Sequence, residues 1–344
     1  MQSDRLVAVR RWLWFVAGLV VLMIVVGGAT RLTGSGLSIT EWRPFAGAMP
    51  PLSQAAWLAE FEKYRQIPQY QLMNKGMSLS AFQFIYWWEW GHRQLGRVVG
   101  FAFFIPYIWF VLRGTLRGKL ALWLLVVGGL GGFQGAIGWL MVASGLREGM
   151  ISVAPIKLAL HLTTACLILT CLVWTARALR LVGAAKASLN VPHAASSARV
   201  LVGLILLQIA LGALVAGSKA GLTYPTWPLM DGALVPPSAV LFAQTPWIEN
   251  FVDNAALVQF NHRLTAYLLL AFAVLHWWRL RTSAVKGAGH IALAITAQAC
   301  VGVLTLLLAV PLWAGLMHQF MAAVILIAAV MHAESMGRLR REAV

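Results

Sequence analysis

The run EWGHR at residues 89–93 places a carboxylate, an imidazole and a guanidinium within two helical turns. It follows the apolar AFQFIYWW and leads into VVGFAFFIPYIWFVL, so all three groups fall inside a segment suited to hydrocarbon. Ionisable groups at that depth are costly and mark functional candidates. Neutral imidazole is a ligand for iron, copper or zinc. Glu89 lies three residues before His92, on the same helix face with Cβ atoms ~5–6 Å apart, where a carboxylate can move protons or stabilise positive charge. An i,i+4 ion pair between Glu89 and Arg93 is the purely structural alternative.

The same pattern recurs in the second half of the chain. EWGHRQLGRVVGF (89–101) aligns with QFNHRLTAYLLLA (259–271) at the His-Arg pair, and IKLALHLTTA (156–165) aligns with AGLMHQFMAA (314–323) at a second histidine. GGATRLTGSGLSITEWRPFAGAMPP (27–51) is echoed by AGSKAGLTYPTWPLMDGALVPP (216–237), and GGFQGAIGWLMVA (131–143) by AQACVGVLTLLLA (297–309). Each half therefore carries one histidine on its second membrane helix and one on its fourth: His92 and His161, then His262 and His318. A histidine from each of two helices, with no thiolate or carboxylate pair beside them, suits bis-imidazole ligation of a haem. Zinc or a dimetal centre would need more ligands. Gln259 stands where the first half has Glu89, so the arginine is kept as Arg263 while the acid is replaced. That asymmetry suggests that one half does chemistry and the other holds a cofactor. A rival pattern is the spacing of 14 residues from His262 to His276 and from His318 to His332, which resembles the helix pairs of dihaem cytochromes b; the first half has Pro106 and Thr175 at those places.

The elements that must position these residues are membrane helices. Of 344 residues, 60% are hydrophobic and 11% charged, with a mean hydropathy of +0.76. Apolar runs long enough to span recur along the chain, and in hydrocarbon the backbone must satisfy its own hydrogen bonds, which selects helices. Eight spans are expected, near 12–29, 84–112, 119–143, 155–178, 199–217, 256–279, 290–309 and 312–333. The net charge of +16 is a topology signal rather than a sign of nucleic acid. Sixteen of the 27 Lys and Arg fall on one side of these spans, among them Arg5, Arg10, Arg113, Arg117, Lys186, Arg279 and Arg341, which places both termini in the cytoplasm. The fold expected is an all-α polytopic membrane protein of two pseudo-symmetric four-helix bundles: a first half over 1–178, a cytoplasmic linker over 179–198 and a second half over 199–344. The two repeats run parallel, related by an axis along the membrane normal. Each histidine then lies ~10–13 Å into its span from the outer side. Arg31, Arg97 and Lys219 are placed to reach haem propionates, and Arg93 and Arg263 to support the sites. The outer segment 30–83 is expected to hold one or two short amphipathic helices. Cys166, Cys171 and Cys300 all fall within spans and read as structural thiols. The first span is too long for a signal peptide, and no Ser-rich transit segment precedes it, which favours a bacterial plasma membrane.

The Glu-x-x-His-Arg run at 89–93, the GGATRLTGSGLSITEW segment, the paired halves and the four histidines together resemble the haem A synthases over nearly the whole chain. The resemblance is to the alphaproteobacterial and mitochondrial branch, since the outer-loop cysteine pair of other members is missing. It implies oxidation of the C8 methyl of haem O to the formyl group of haem A, for a terminal oxidase. It also implies that His92 and His161 bind the haem O substrate, that His262 and His318 ligate a resident haem b, and that Glu89 is the catalytic acid/base. Docking with a haem O synthase, an electron-transfer partner and a homo-oligomer are all compatible with this reading. A quinol-linked b-type cytochrome and a haem carrier are the alternative functions.

Overall fold

The computed structural model describes residues 2–44, 46–180, 193–283 and 286–342. Its helices are α1 (Gln2–Leu32), α2 (Gln54–Arg65), α3 (Pro68–Leu72), α4 (Leu79–Leu112), α5 (Gly118–Gly145), α6 (Pro155–Ala178), α7 (Ala194–Gly217), α8 (Ala220–Thr223), α9 (Ser238–Leu241), α10 (Ala255–Leu280), α11 (Gly287–Leu307) and α12 (Leu312–Glu342). Eight of them are long and apolar enough to cross a membrane: α1, α4, α5, α6, α7, α10, α11 and α12. Among the described residues the one β feature is an isolated bridge between Met230 and Ala233.

The helix starts follow local chemistry. Ser78 caps α4 by accepting from Ala81 N, and Asn254 caps α10 by accepting from Ala256 N and Leu257 N. Pro155 opens α6 at a position where its missing N–H costs nothing. Several boundaries differ from the hydropathy pattern, among them the start of α1, at Gln2 rather than near 12. Helix α7 begins at Ala194 rather than 199, so the connection between the halves is shorter than expected; most of it, residues 181–192 with Lys186, lies outside the described residues. Helix α12 runs on past 333 to Glu342 and carries Glu334 within it, buried at 2% exposure. Hydropathy ends that span early because Glu334 and Arg338 are polar, but the two neutralise one another across one turn at 2.6 Å, with Arg177 alongside.

The packing joins α1, α4, α5 and α6 in one ring of neighbours, and α7, α10, α11 and α12 in another. The two rings meet where α1 and α6 lie against α7 and α12. The main core sits along this seam, with Leu13, Val16, Leu169, Leu172, Leu201, Ile205, Leu326 and Val330 all buried. On the outside, Phe101, Ile105, Leu122, Phe133 and Leu293 are each at least 59% exposed, as a surface solvated by lipid tails requires.

The segment between α1 and α4 is a folded cap. Leu37 and Ile39 pack with Phe61, Tyr64, Ile67 and Tyr70 of α2, α3 and their connection, and with Phe82, Ile85 and Tyr86 of α4. Helix α4 thus starts at Leu79 and not near 84, its first turns burying against the cap before the helix enters the membrane. The Tyr64 hydroxyl donates to Gln69 Oε1 at 3.0 Å and accepts from Asn74 Nδ2 at 2.7 Å, and Gln69 Nε2 donates to Gly34 O at 3.2 Å.

Candidate functional site

Each of the four repeat-related histidines rests on a glycine of the preceding membrane helix. His92 on α4 lies against Gly27 of α1, His161 on α6 against Gly138 of α5, His262 on α10 against Gly212 of α7, and His318 on α12 against Gly302 of α11. A methyl group added at these glycines would stand 3.0, 2.9, 3.0 and 2.8 Å from the respective rings, closer than an ordinary Cβ contact, so each ring would have to give way. The absence of a side chain is therefore what lets each imidazole lie flat on its neighbour. All four rings are half-buried rather than sealed in the core.

The histidines associate within halves. His92 and His161 interact electrostatically with one another, as do His262 and His318. Helices α4 and α6 are diagonal in their ring, as α10 and α12 are in theirs, so each pair faces across the middle of its ring.

Three of the four supporting helices add a glutamine one turn before the glycine. Gln134, Gln208 and Gln298 precede Gly138, Gly212 and Gly302 by four residues each. Gln134 Nε2 donates to His161 O at 2.7 Å, Gln208 Nε2 to His262 O at 3.1 Å, and Gln298 Nε2 to His318 O at 2.8 Å. The same amide nitrogens stand 3.0 Å from His262 Nδ1 and 3.2 Å from His318 Nδ1. The three glutamine Oε1 atoms and His161 Nδ1 are buried without a hydrogen-bond partner. These glutamines and glycines were missed by reading for metal ligands; their signal was the spacing Gln-x-x-x-Gly on three helices.

Glu89 is 3% exposed and its carboxylate accepts from four donors. Oε2 accepts from Ser38 Oγ and Ile39 N, both at 2.8 Å; Oε1 accepts from Arg93 Nη2 at 2.6 Å and Arg93 Nε at 3.2 Å. All four contacts are donated to the carboxylic oxygens. Gln259 occupies the equivalent place and keeps half of the pattern: its Oε1 accepts from Arg263 Nη2 at 3.1 Å, while its Nε2 donates to Ala220 O and Tyr224 O, each at 3.1 Å, where Glu89 has an acceptor oxygen. The arginines are matched. Arg93 donates to Ile39 O and Glu41 O, and Arg263 to Tyr224 O and Thr226 O, so each pins the loop that follows the first helix of its half.

The remaining predicted support residues are placed as follows. Arg31 Nη1 donates to Ala216 O at 2.6 Å, tying the end of α1 to the end of α7. Arg97 donates to Pro44 O and Arg43 O of the outer cap. Lys219 occupies the left-handed turn between α7 and α8. His276 and His332 are sealed at 3% and 7% exposure, and their Nε2 atoms lie 2.9 Å apart in a direct hydrogen bond. His276 Nδ1 pairs with Ser197 Oγ at 2.9 Å. A metal shared by two imidazoles needs about 2 Å to each nitrogen, roughly 4 Å between them, so this arrangement does not hold an iron. The cysteines are unpaired: Cys166 is buried, Cys171 half-buried and Cys300 exposed on the lipid-facing surface.

A haem is tested against these donors by the chemistry they offer. Each half presents two imidazoles across a ring of helices, with orphaned polar atoms beside three of the four and no other set of three metal-binding side chains among the described residues. That donor set fits bis-histidine haem. Comparison with known proteins agrees in kind. The family model for cytochrome oxidase assembly proteins, COX15-CtaA, matches residues 10–330. The chain is 59% identical over 340 residues to the heme A synthase of Methylobacterium sp. (strain 4-46), covering 97% of this chain and 93% of the relative. It is 61% identical over 322 residues to that of Methylobacterium nodulans, covering 92% and 89%. It is 49% identical over 343 residues to that of Bradyrhizobium sp. (strain ORS 278), covering 98% and 93%.

Proposed function

The chain belongs to the COX15-CtaA family of cytochrome oxidase assembly proteins, and we propose that it is an oxidoreductase of the membrane that converts haem O to haem A for a terminal oxidase. The observation that carries this reading is the pairing of four glycine-backed histidines by halves, with a carboxylic side chain beside one pair and an amide beside the other. His92 and His161, in the first half over 1–178, hold the haem O substrate. His262 and His318, in the second half over 199–344, hold a resident haem b. Haem b bound there supplies one-electron transfer to and from an external redox partner.

The chain's own groups do the rest. Gly27 and Gly138 let the two substrate-side imidazoles lie against α1 and α5. The substrate is oxidised at its C8 methyl in two two-electron steps, first to the alcohol and then to the gem-diol, which loses water to leave the formyl group. Glu89 places a carboxylate one turn before His92, held by Arg93, Ser38 and Ile39 N. A carboxylate held in that way stabilises positive charge developing at the methyl carbon, or takes the proton of the attacking water, without reorganising. The outer cap, pinned through Arg93 and Ser38, excludes water from that side. The charge pattern supports cytoplasmic termini in a bacterial inner membrane, with both haem sites toward the periplasm.

Glu89→Gln tests the assignment. The variant keeps both haem sites and accumulates haem O or its hydroxylated form, read by pigment extraction and chromatography; normal haem A would refute the role of Glu89. His262→Ala loses haem b in a pyridine haemochrome assay, and an unchanged haem content would refute that ligand.

A further inference from the structure

The four histidines are not held alike, and the difference follows the glutamines. At Gly138, Gly212 and Gly302 the ring atom nearest an added Cβ is Cε1, with Nδ1 next at 3.4–3.5 Å. At Gly27 the order is reversed: His92 presents Nε2 at 3.0 Å and Cδ2 at 3.5 Å. The unbraced ring has turned its outer nitrogen against the backbone of α1. The helix on which it rests has Met23, four residues before Gly27, where the other three have Gln134, Gln208 and Gln298. A thioether offers neither a strong donor nor a strong acceptor.

We propose that Gln134, Gln208 and Gln298 are positioning residues that fix the ring orientation and tautomer of His161, His262 and His318, and that Met23 leaves His92 as the one axial ligand free to turn. The proposal rests on the haem-ligand reading above. Three buried Oε1 atoms and His161 Nδ1 lack partners. A partial turn of each carboxamide, with Nε2 kept on the histidine carbonyl, brings Oε1 toward Nδ1–H. The proton then resides on Nδ1 and Nε2 is bare for iron, the arrangement typical of ligating histidines. In the second half both ligands are braced, which suits a haem that stays. In the first half only His161 is braced, so the haem there is gained and lost through the His92 side, as a substrate site requires.

The test is the rate at which the purified, detergent-solubilised full chain gives up haem to apomyoglobin, together with the reduction potential of its haem b. Gln208→Met and Gln298→Met copy the residue that α1 already carries, at similar volume. Each is expected to release haem b about 10–100-fold faster, the usual cost of removing such a partner, and to raise the potential, since the imidazole becomes a weaker donor. Gln298→Glu keeps an acceptor beside Nδ1 and holds the potential at or below the unmodified value; it also serves where a Met variant does not accumulate. Met23→Gln slows haemin loss from the first site by a similar factor, while Met23→Leu leaves it unchanged. Unaltered release and potential in the Gln→Met variants, with haem b lost in His262→Ala, would overturn the bracing while sparing the ligands. Haem b retained in His262→Ala would overturn the ligand reading and the bracing with it.

Discussion

Gly302→Ala isolates the contact between a supporting helix and its histidine. The new methyl would stand 2.8 Å from His318 Cε1, 3.4 Å from Nδ1 and 3.6 Å from Nε2. Carbon atoms in good contact are about 3.5–4.0 Å apart, so the ring must retreat by roughly 0.7–1 Å. It cannot do so freely, because Gln298 holds the His318 main chain at 2.8 Å and the helix fixes the Cα. The strain is that of an overpacked site, about 1–3 kcal/mol, with an off-rotamer ring contributing about 0.5–1.5 kcal/mol of it. If that strain is felt when the ring must meet an iron, haem binding weakens by roughly 5–150-fold, at 1.4 kcal/mol per factor of ten. Thermal stability is the wrong measurement, since alanine gains about 0.8–1 kcal/mol over glycine within a helix and masks the strain. The assay is haem transfer to apomyoglobin, with Gly203→Ala as control. Gly203 on α7 has nothing within 4 Å of an added Cβ, so that variant keeps its haem. A Gly302→Ala protein that holds haem b as tightly as Gly203→Ala, with the same low-spin spectrum, would refute the claim that glycine is there to seat the imidazole.

Other parts of the structure make separate predictions. His332→Gln breaks the buried pair with His276 and costs about 1–3 kcal/mol of stability, yet leaves haem content unchanged; a fall in haem per chain would show that this pair serves a haem after all. Glu334→Gln leaves Arg338 and Arg177 without their carboxylate. The cost is about 1–3 kcal/mol in a melting experiment, less than for a sealed pair because side-chain exposure is 21% and 18% at the two guanidiniums. Burial raises the Tyr64 phenol above its ordinary 10.0. The folded cap thus favours the neutral form, and its contribution is present below pH ~10 and lost as pH rises through the folded value. Limited proteolysis across residues 33–77 should accelerate in that range, and Tyr64→Phe should open the cap at all pH values by about 1 kcal/mol and abolish the dependence.

Spans, repeat and histidines were legible in the sequence because each rests on a period or a residue type. The eight helices follow from apolar length, and their ends moved where hydropathy does not see the neighbour: at α12 because Glu334 is neutralised by Arg338, at α4 because its first turns pack on the outer cap. The short outer helices were expected and are α2 and α3. What could not be read was contact. In a chain with 31 glycines the spacing Gln-x-x-x-Gly marks Gly138, Gly212 and Gly302 but not Gly27, and the purpose of all four shows only when a ring is found lying on each. The 14-residue spacing to His276 and His332 was the rival pattern of a dihaem helix pair, and the direct pairing of the two rings at 2.9 Å could not be read from that spacing. Glu89 was seen as an intramembrane acid, but its engagement by Ser38 and Ile39 depends on a loop fifty residues away folding back onto α4.

Three departures from the repeat stand out, and all three touch the first site. Glu89 faces Gln259, Met23 faces Gln208, and Gln319 faces Leu162 when the halves are aligned on their histidines. Gln319 follows the ligand His318 directly and donates from Nε2 to Ile24 O of α1 at 2.6 Å, while Gly28 leaves room for its side chain. At the corresponding crossing, Leu162 packs with Ala159 and Ala213 and makes no such link. The consequence is directional. Helix α1, on which His92 rests, is bound through Gln319 to α12, which carries His318, and through Arg31 to the end of α7, whereas no side chain of α6 makes the matching link at Leu162. Each exchange swaps side chains of similar size, so the duplicated packing survives while charge, bracing and connection change. A symmetric duplicate would hold two haems alike. Here the acidic side chain, the imidazole without a glutamine and the cross-link all fall on the first side, which is the half that the function proposed above assigns to the reactant haem.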